Sequence, residues 1–336
     1  RSRGLGDVYK RQHKHMIHSG LLICSFFVKE RYGRDDSKVI NLNNEIHIEQ
    51  VGNEETYNSI WKLFSDFFNN HLDLSDDESS MKLFSIARDS IKEFDTDSYH
   101  CASFIINSGS YGIEGKLTNR TTKEVKYNRT REDADVKQFH ALIYIPKDAD
   151  GIKVQKGILL FQSIGTFGVK TITTKQIKDY FAQKGLTFET RSVSISVFLK
   201  RILEENRIKK VTLLKNCTSI DSSDNMLIST GREEKVYYSP KFKESFIQRI
   251  IDFVDGKKDD TIFEINDNLY EDISISFNLS GRTRTAKLKD IDRFSRVEDI
   301  PDSIYNNGNT NYDDIIRHMI GTAESYKEKM VFRIAE

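Results

Sequence analysis

The sequence predicts an α+β protein, with mixed, mostly antiparallel sheets and flanking helices arranged in two domains. Three observations lead there. Two continuous apolar runs, FHALIYI (139–145) and GILLFQSI (157–164), have the length and composition of strands covered on both faces. The connection Pro146–Lys156 between them is short enough for a hairpin, which would make the pair antiparallel. Amphipathic stripes at a spacing of three to four residues recur before and after these runs and mark helices. At 336 residues the chain exceeds one domain of about 150.

The expected division is a segment 1–12 outside the fold, an N-terminal α+β domain at 16–130 and a C-terminal α/β domain at 137–336. RSRGLGDVYKRQ (1–12) shows neither helical nor strand periodicity and resembles a translated sequencing adapter, so the natural start is expected at Met16 or nearby. The almost wholly polar stretch Thr118–Lys137 is the expected boundary, although a long solvated hairpin would have the same composition.

Along the chain, Leu21–Val28 reads as a buried strand, too short to span a bilayer. A polar excursion follows. A helix is expected from Asn53, with Tyr57, Ile60, Trp61, Phe64, Phe67 and Phe68 on its apolar face. Ser75 and Glu78 have capping-box spacing and predict a second helix burying Met81, Phe84, Ala87, Ile91 and Phe94. These aromatic stripes read as core. Residues 98–130 predict two or three short strands. Thr173 and Gln176 have the same capping-box spacing before Ile177, Tyr180 and Phe181, and Gly185 suits a left-handed cap. Leu186–Ile195 and Ile208–Leu214 read as strands around a short helix, Val197–Leu203. Ser239-Pro240 predicts a helix start before Phe246, Ile250, Ile251 and Val254. In 273–289 alternation predicts a hairpin that pairs Leu279 with Arg282, Phe277 with Arg284 and Ile275 with Ala286. A last helix is expected from about Thr310.

Lysine plus arginine and aspartate plus glutamate number 51 each, so attraction of the whole molecule to nucleic acid or anionic lipid is absent and binding must come from local patches. Cys24, Cys101 and Cys217 form neither a disulfide framework nor a metal motif, which points to a reducing, cytoplasmic setting. The histidines lack the spacing of a zinc helix, and no cofactor is implied. SIGTFGVK (163–170) places two glycines before a helix but matches no phosphate-binding fingerprint. Glu114 and Lys116, with Asp95 and Asp97 upstream, are the alternative catalytic set of a metal-dependent nuclease, and Asp135-Val136-Lys137 is a second such triplet.

The basic patches offer the DNA-binding candidates. They are Arg282, Arg284, Lys287 and Lys289 in the hairpin, Lys200, Arg201, Lys209 and Lys210 around the 208 strand, and Lys175 and Lys178 on the 173 helix. Cations of this kind contact phosphates rather than read bases.

At TTKQIKDYFAQKG (173–185) and PKFKESF (240–246) the chain resembles the RexA family of phage-exclusion sensors. The shared residues are Thr173-Thr174, Asp179-Tyr180, Lys184-Gly185 and Pro240-Lys241-Phe242-Lys243, and the resemblance covers roughly 137–330. It implies a cytoplasmic homodimer that binds double-stranded DNA and signals to a membrane protein partner. The reading that results is a non-enzymatic, largely sequence-independent DNA-binding protein of a phage-exclusion or abortive-infection system. Its alternatives are the nuclease effector and a protein-interaction module that uses the aromatic helices.

Overall fold

The computed structural model describes residues 19–30, 39–50, 53–57, 59–148, 153–204, 208–218, 230–238, 241, 243–255, 263–265, 268–270, 272–279, 282–293, 297–306, 309–327 and 333–334. The chain divides into two compact units, residues 1–192 with 303–336 and residues 193–302. The larger unit is built on strands β1 (Ser19–Glu30), β2 (Ser75–Asp77), β3 (Lys82–Ile86), β4 (Lys92–Asp95), β5 (Tyr99–Ser110), β6 (Gly115–Thr118), β7 (Val125–Arg129), β8 (Asp135–Pro146), β9 (Gly157–Ile164) and β10 (Leu186–Ser192). Its helices are α1 (Ile60–Asn70) and α2 (Lys170–Gln183), and the chain returns to it in a C-terminal helix, Tyr312–Lys327.

Seven strands lie in the order β10-β1-β9-β8-β5-β3-β2. All of these pairs are antiparallel, as the apolar runs of β8 and β9 predicted. The polar stretch 118–137 is the solvated hairpin β6–β7 together with the start of β8. The strands flanking it, β5 and β8, pair over 12 residues, so one sheet runs across the expected boundary.

One face of this sheet is covered by α1 and α2. Ile60, Leu63, Phe64, Phe67 and Phe68 of α1 are buried. Phe64 packs 5.5 Å from Phe26 of β1, 5.2 Å from Phe181 of α2 and 6.1 Å from Phe188 of β10. Burial of each such ring contributes about 1.5–3 kcal/mol. The aromatic stripe is therefore core.

Two helix assignments need correction. The first helix starts at Ile60 rather than Asn53, because Asn53–Tyr57 pairs with Ile46–Gln50 as a hairpin. The second does not form. Its residues make β2, β3 and β4, interrupted by a short turn at Arg88–Ser90, because the edge of β5 offers them a backbone partner. The interruption leaves no gap in bonding: Ala87 N–H donates to the Ile105 carbonyl, and Ile105 N–H donates to Ser90 Oγ. Ser75 Oγ donates to the Phe84 carbonyl instead of capping a helix.

The capping box at Thr173 also fails. α2 begins one turn earlier, at Lys170, and Thr173 lies wholly buried inside it. Gly185 follows α2 with φ +75°, the conformation its glycine was read for. The C-terminal helix buries Ile315, Ile316, Met319 and Ala323, and Ile320 on the same expected stripe is half-buried. Beneath it His140 packs 5.4 Å from the Tyr312 ring, and burial lowers its pKa to about 4.

The smaller unit carries α3 (Ile195–Glu204), β11 (Ile208–Thr218), β12 (Thr230–Tyr238), α4 (Glu244–Val254), β13 (Asp272–Leu279) and β14 (Arg282–Lys287). Its strands form a second antiparallel sheet in the order β12-β11-β13-β14. The C-terminal helix of the larger unit is accordingly α5. Ser239-Pro240, Phe242, the turn Ser280-Gly281 and Gly256 lie outside the described residues.

Close packing makes Gly157 irreplaceable. A Cβ on Gly157 would lie 2.3 Å from the Phe26 ring, whereas one on Gly321 of α5 would meet nothing within 4 Å. Gly157→Ala is expected to cost about 1–3 kcal/mol. Gly321→Ala is expected to stabilise by about 0.5–1 kcal/mol through helix propensity. Thermal melts of the two variants should move in opposite directions.

Candidate nucleic-acid interface and a cationic cleft

In the smaller unit, alternation gives each strand one apolar and one polar side. Val211 and Leu213 of β11, Ile273, Ile275 and Phe277 of β13 and Ala286 of β14 are buried on one side, where Phe198 of α3 packs 6.4 Å from Phe277. The register sets the other side in cross-strand rows. One row is Tyr238, Lys210, Ser276 and Thr285, and the next is Val236, Thr212, Ser274 and Lys287. In the middles of the rows Ser276, Thr212 and Ser274 are buried and Lys210 is half-buried. Their ends Tyr238, Thr285 and Lys287 are exposed, Tyr238 at 78%. Strand spacing puts Lys210 and Lys287 about 12 Å apart at the backbone. A third row holds Glu234, Leu214 and Asp272, so the cationic end of this side is local.

The hairpin register of 273–287 matches the pairing read from the sequence. Its candidates behave differently from one another. Arg284 is half-buried and donates from Nη1 to the Val297 carbonyl at 3.1 Å, so part of its guanidinium serves the fold. Lys287 is exposed. For Arg282 and Lys289 the backbone alone is described, and their side chains lie outside the described part. Lys209 is exposed, and Lys200 is half-buried on α3.

Arg201 is a correction. Its side chain is 9% exposed and donates from Nη1 to Glu298 Oε1 at 2.6 Å, making a buried ion pair in place of a phosphate contact. Lys175 and Lys178 belong to the larger unit and the other candidates to the smaller. Lys178 is exposed. Lys175 is tied to Asp77 at 2.5 Å and to Ser79 Oγ at 2.6 Å. Asp77 also accepts from Ser79 and Ser80, and the Lys175 ammonium with these hydroxyls holds its carboxyl well below the usual carboxylate range.

The nuclease set does not assemble. Glu114 pairs with Arg131 at 3.2 Å on the exposed hairpin, and Lys116 is exposed beside it. Asp95 sits at the other end of β5, more than about 30 Å away by strand rise, paired with Lys147 at 2.6 Å. Among the described residues no group of three His, Cys, Asp or Glu side chains is placed to hold a metal ion. Of the aromatic stripe that a protein-interaction reading would use, Phe64, Phe67 and Phe68 are at most 1% exposed and Trp61 is half-buried.

The loop SIGTFGVK takes part in a different feature. Ser163-Ile164 pairs with Phe167-Gly168 around Gly165, at φ +61°. Phe167 is left 53% exposed, beside the Asp135–Lys137 triplet, and Lys137 Nζ lies 4.4 Å from its ring centroid. Lys82 and Arg129 complete a cleft of about 400 Å³ floored by Ser108, Gly109 and Ser110. Lys82 and Arg129 have no recognisable signal in the sequence, because hairpin pairing alone brings them beside β5 and β8. Tyr238 likewise carries no recognisable signal in the sequence.

No protein-family model matches the chain, and no curated protein matches it. The segments that carry the RexA resemblance fall in both units, 173–185 in the larger and 240–246 in the smaller.

Three variants test the structural role of Arg201 and Lys175. Glu298→Ala strands the Arg201 charge and is expected to cost about 3–5 kcal/mol, while Arg201→Met with Glu298→Leu costs less. Urea titration of both variants checks this. Asp77→Asn should cost about 1–3 kcal/mol at neutral pH. A carboxyl whose folded pKa is depressed stabilises above its unfolded pKa, about 3.9, and loses that stabilisation as pH falls toward the folded value. The gap between wild type and Asp77→Asn should therefore be constant from pH 5 to 8 and close below about pH 4, as read by melts across that range.

Proposed function

We propose that the chain is a non-enzymatic DNA-binding protein of a phage-exclusion or abortive-infection system that holds double-stranded DNA by its phosphates. The observation that carries the reading is the placing of Lys210 and Lys287 in adjacent rows of one sheet side, next to exposed Tyr238. Lysines on a rigid sheet, about one strand-width from hydroxyl groups, suit phosphate oxygens and carry no information about base identity. Exposed Lys209 adds a further cation near the same strand end. With no net charge on the chain, the expected affinity is modest and strongly dependent on salt.

The physiological setting rests on the resemblance at 173–185 and 240–246. That likeness extends the proposal to a cytoplasmic homodimer with a membrane protein partner.

The test is fluorescence anisotropy with duplexes of unrelated sequence. Affinities should agree within about twofold across sequences, because the contacts are to the backbone. Lys210→Ala with Lys287→Ala should weaken binding at least about tenfold at low salt and flatten the log–log salt slope by about 2. An unchanged slope would remove this surface from consideration.

A further inference from the structure

The side of the larger sheet that α1 and α2 cover does not end where the helices end. Ile86, Ile106 and Phe139 share a row of its core. Two residues on, the row is Phe84, Ser108 and Lys137, and two further on it is Lys82, Ser110 and Asp135. The same side thus passes from apolar to cationic within about 14 Å of strand. There the hairpin β6–β7 and the turn at Gly165 bring in Arg129 and Phe167 and close the walls of the cleft.

Its chemistry is specific. Lys82, Arg129 and Lys137 face one carboxylate, Asp135, so the lining carries an excess of two positive charges. Arg129 is fixed in place: its Nε donates to the Asp133 carbonyl at 2.9 Å and its Nη2 to the Ser110 carbonyl. A guanidinium held this way is pre-organised for an anion. Ser108 and Ser110 add hydroxyls at the floor. Phe167 contributes an exposed ring at the rim, already beside the Lys137 ammonium. Gly109 is required by the walls, since a Cβ there would lie 2.5 Å from the Asp135 carbonyl and force β5 and β8 apart. The volume, about 400 Å³, falls in the range of small-ligand sites.

We propose that this cleft is a nucleotide-binding site, with the base stacked on Phe167 and the phosphate held by Lys82 and Arg129. A dianionic phosphate balances the excess charge, and a planar base uses the exposed ring. The chemistry is common to a free mononucleotide and to the 5′-phosphorylated end of a strand. The site stands on the larger unit alone and does not depend on the duplex-binding surface.

The test is isothermal titration of the full chain with adenosine 5′-monophosphate, adenosine and inorganic phosphate. The monophosphate should bind saturably, and each fragment at least about tenfold more weakly. Phe167→Ala and Lys82→Ala should each reduce monophosphate affinity at least about tenfold, and Phe167→Tyr should retain it. Affinity should fall as pH drops below about 6, where the phosphate takes up its second proton. Comparing 5′-phosphorylated with 5′-hydroxyl octathymidylate distinguishes the two sources. A preference for the phosphorylated strand that Phe167→Ala abolishes assigns the site to strand ends, and binding of the monophosphate alone assigns it to free nucleotide. Lys210→Ala with Lys287→Ala should leave the monophosphate titration unchanged. No saturable binding at millimolar monophosphate, or binding indifferent to both Phe167→Ala and Lys82→Ala, would overturn the assignment.

Discussion

The larger unit depends on one aromatic contact set, in which Phe64 of α1 touches Phe26, Phe181 and Phe188 from three other elements. A ring in such a position fixes the height of the helix over the sheet and the register of the strands beneath it, because interiors packed to crystal density do not accommodate a shifted side chain. Gly157 belongs to the same constraint. Its missing Cβ is the space that the Phe26 ring occupies. Strand register follows, since a slip of one residue would turn every core side chain of β1 or β9 to the opposite face.

The polar features are consequences of where that packing stops. Beyond Ile86, Ile106 and Phe139 the row still buries Phe84 and Ser108 but turns polar at Lys137, and the row after it presents Lys82, Ser110 and Asp135. The smaller unit repeats the principle. One side of its sheet is filled by Ile273, Ile275 and Phe277, and the other is left to serine, threonine and lysine. In both units the polar surface is what remains of a strand pattern once its apolar half has been buried.

This explains which parts were legible in the sequence. Continuous apolar runs such as 139–145 and 157–164 have a single stable placement, two-sided burial, and they were read correctly. So was the 273–287 register, because a tight hairpin leaves no other pairing of its alternating residues. The segment 75–94 was misread since Met81, Phe84, Ile91 and Phe94 stand at intervals that fit a helix, while the partner that makes them strands, β5, is supplied from elsewhere in the chain. Local spacing cannot register a distant hydrogen-bonding edge. The cleft was invisible for the same reason, being assembled from Lys82, Arg129, Lys137 and Phe167 by sheet pairing rather than by proximity in sequence.

Charge shows most clearly why residue type alone misleads about function. Arg201, Lys175 and Lys287 are equivalent in a count of cations, yet each meets a different environment. Arg201 is removed from solvent and compensated by Glu298, an arrangement that costs desolvation and tolerates no exchange of partner for a mobile phosphate. Lys175 shares its charge with a carboxylate that three groups hold ionised, so DNA would have to compete with an interaction already satisfied. Lys287 stands exposed at the end of a hydroxyl-bearing row, where a phosphate replaces water rather than a protein anion. The free energy of an ionic contact is set by what the cation gives up to make it. On that criterion Lys287 is open to the phosphate contact proposed above, whereas Arg201 and Lys175 are already committed to protein carboxylates.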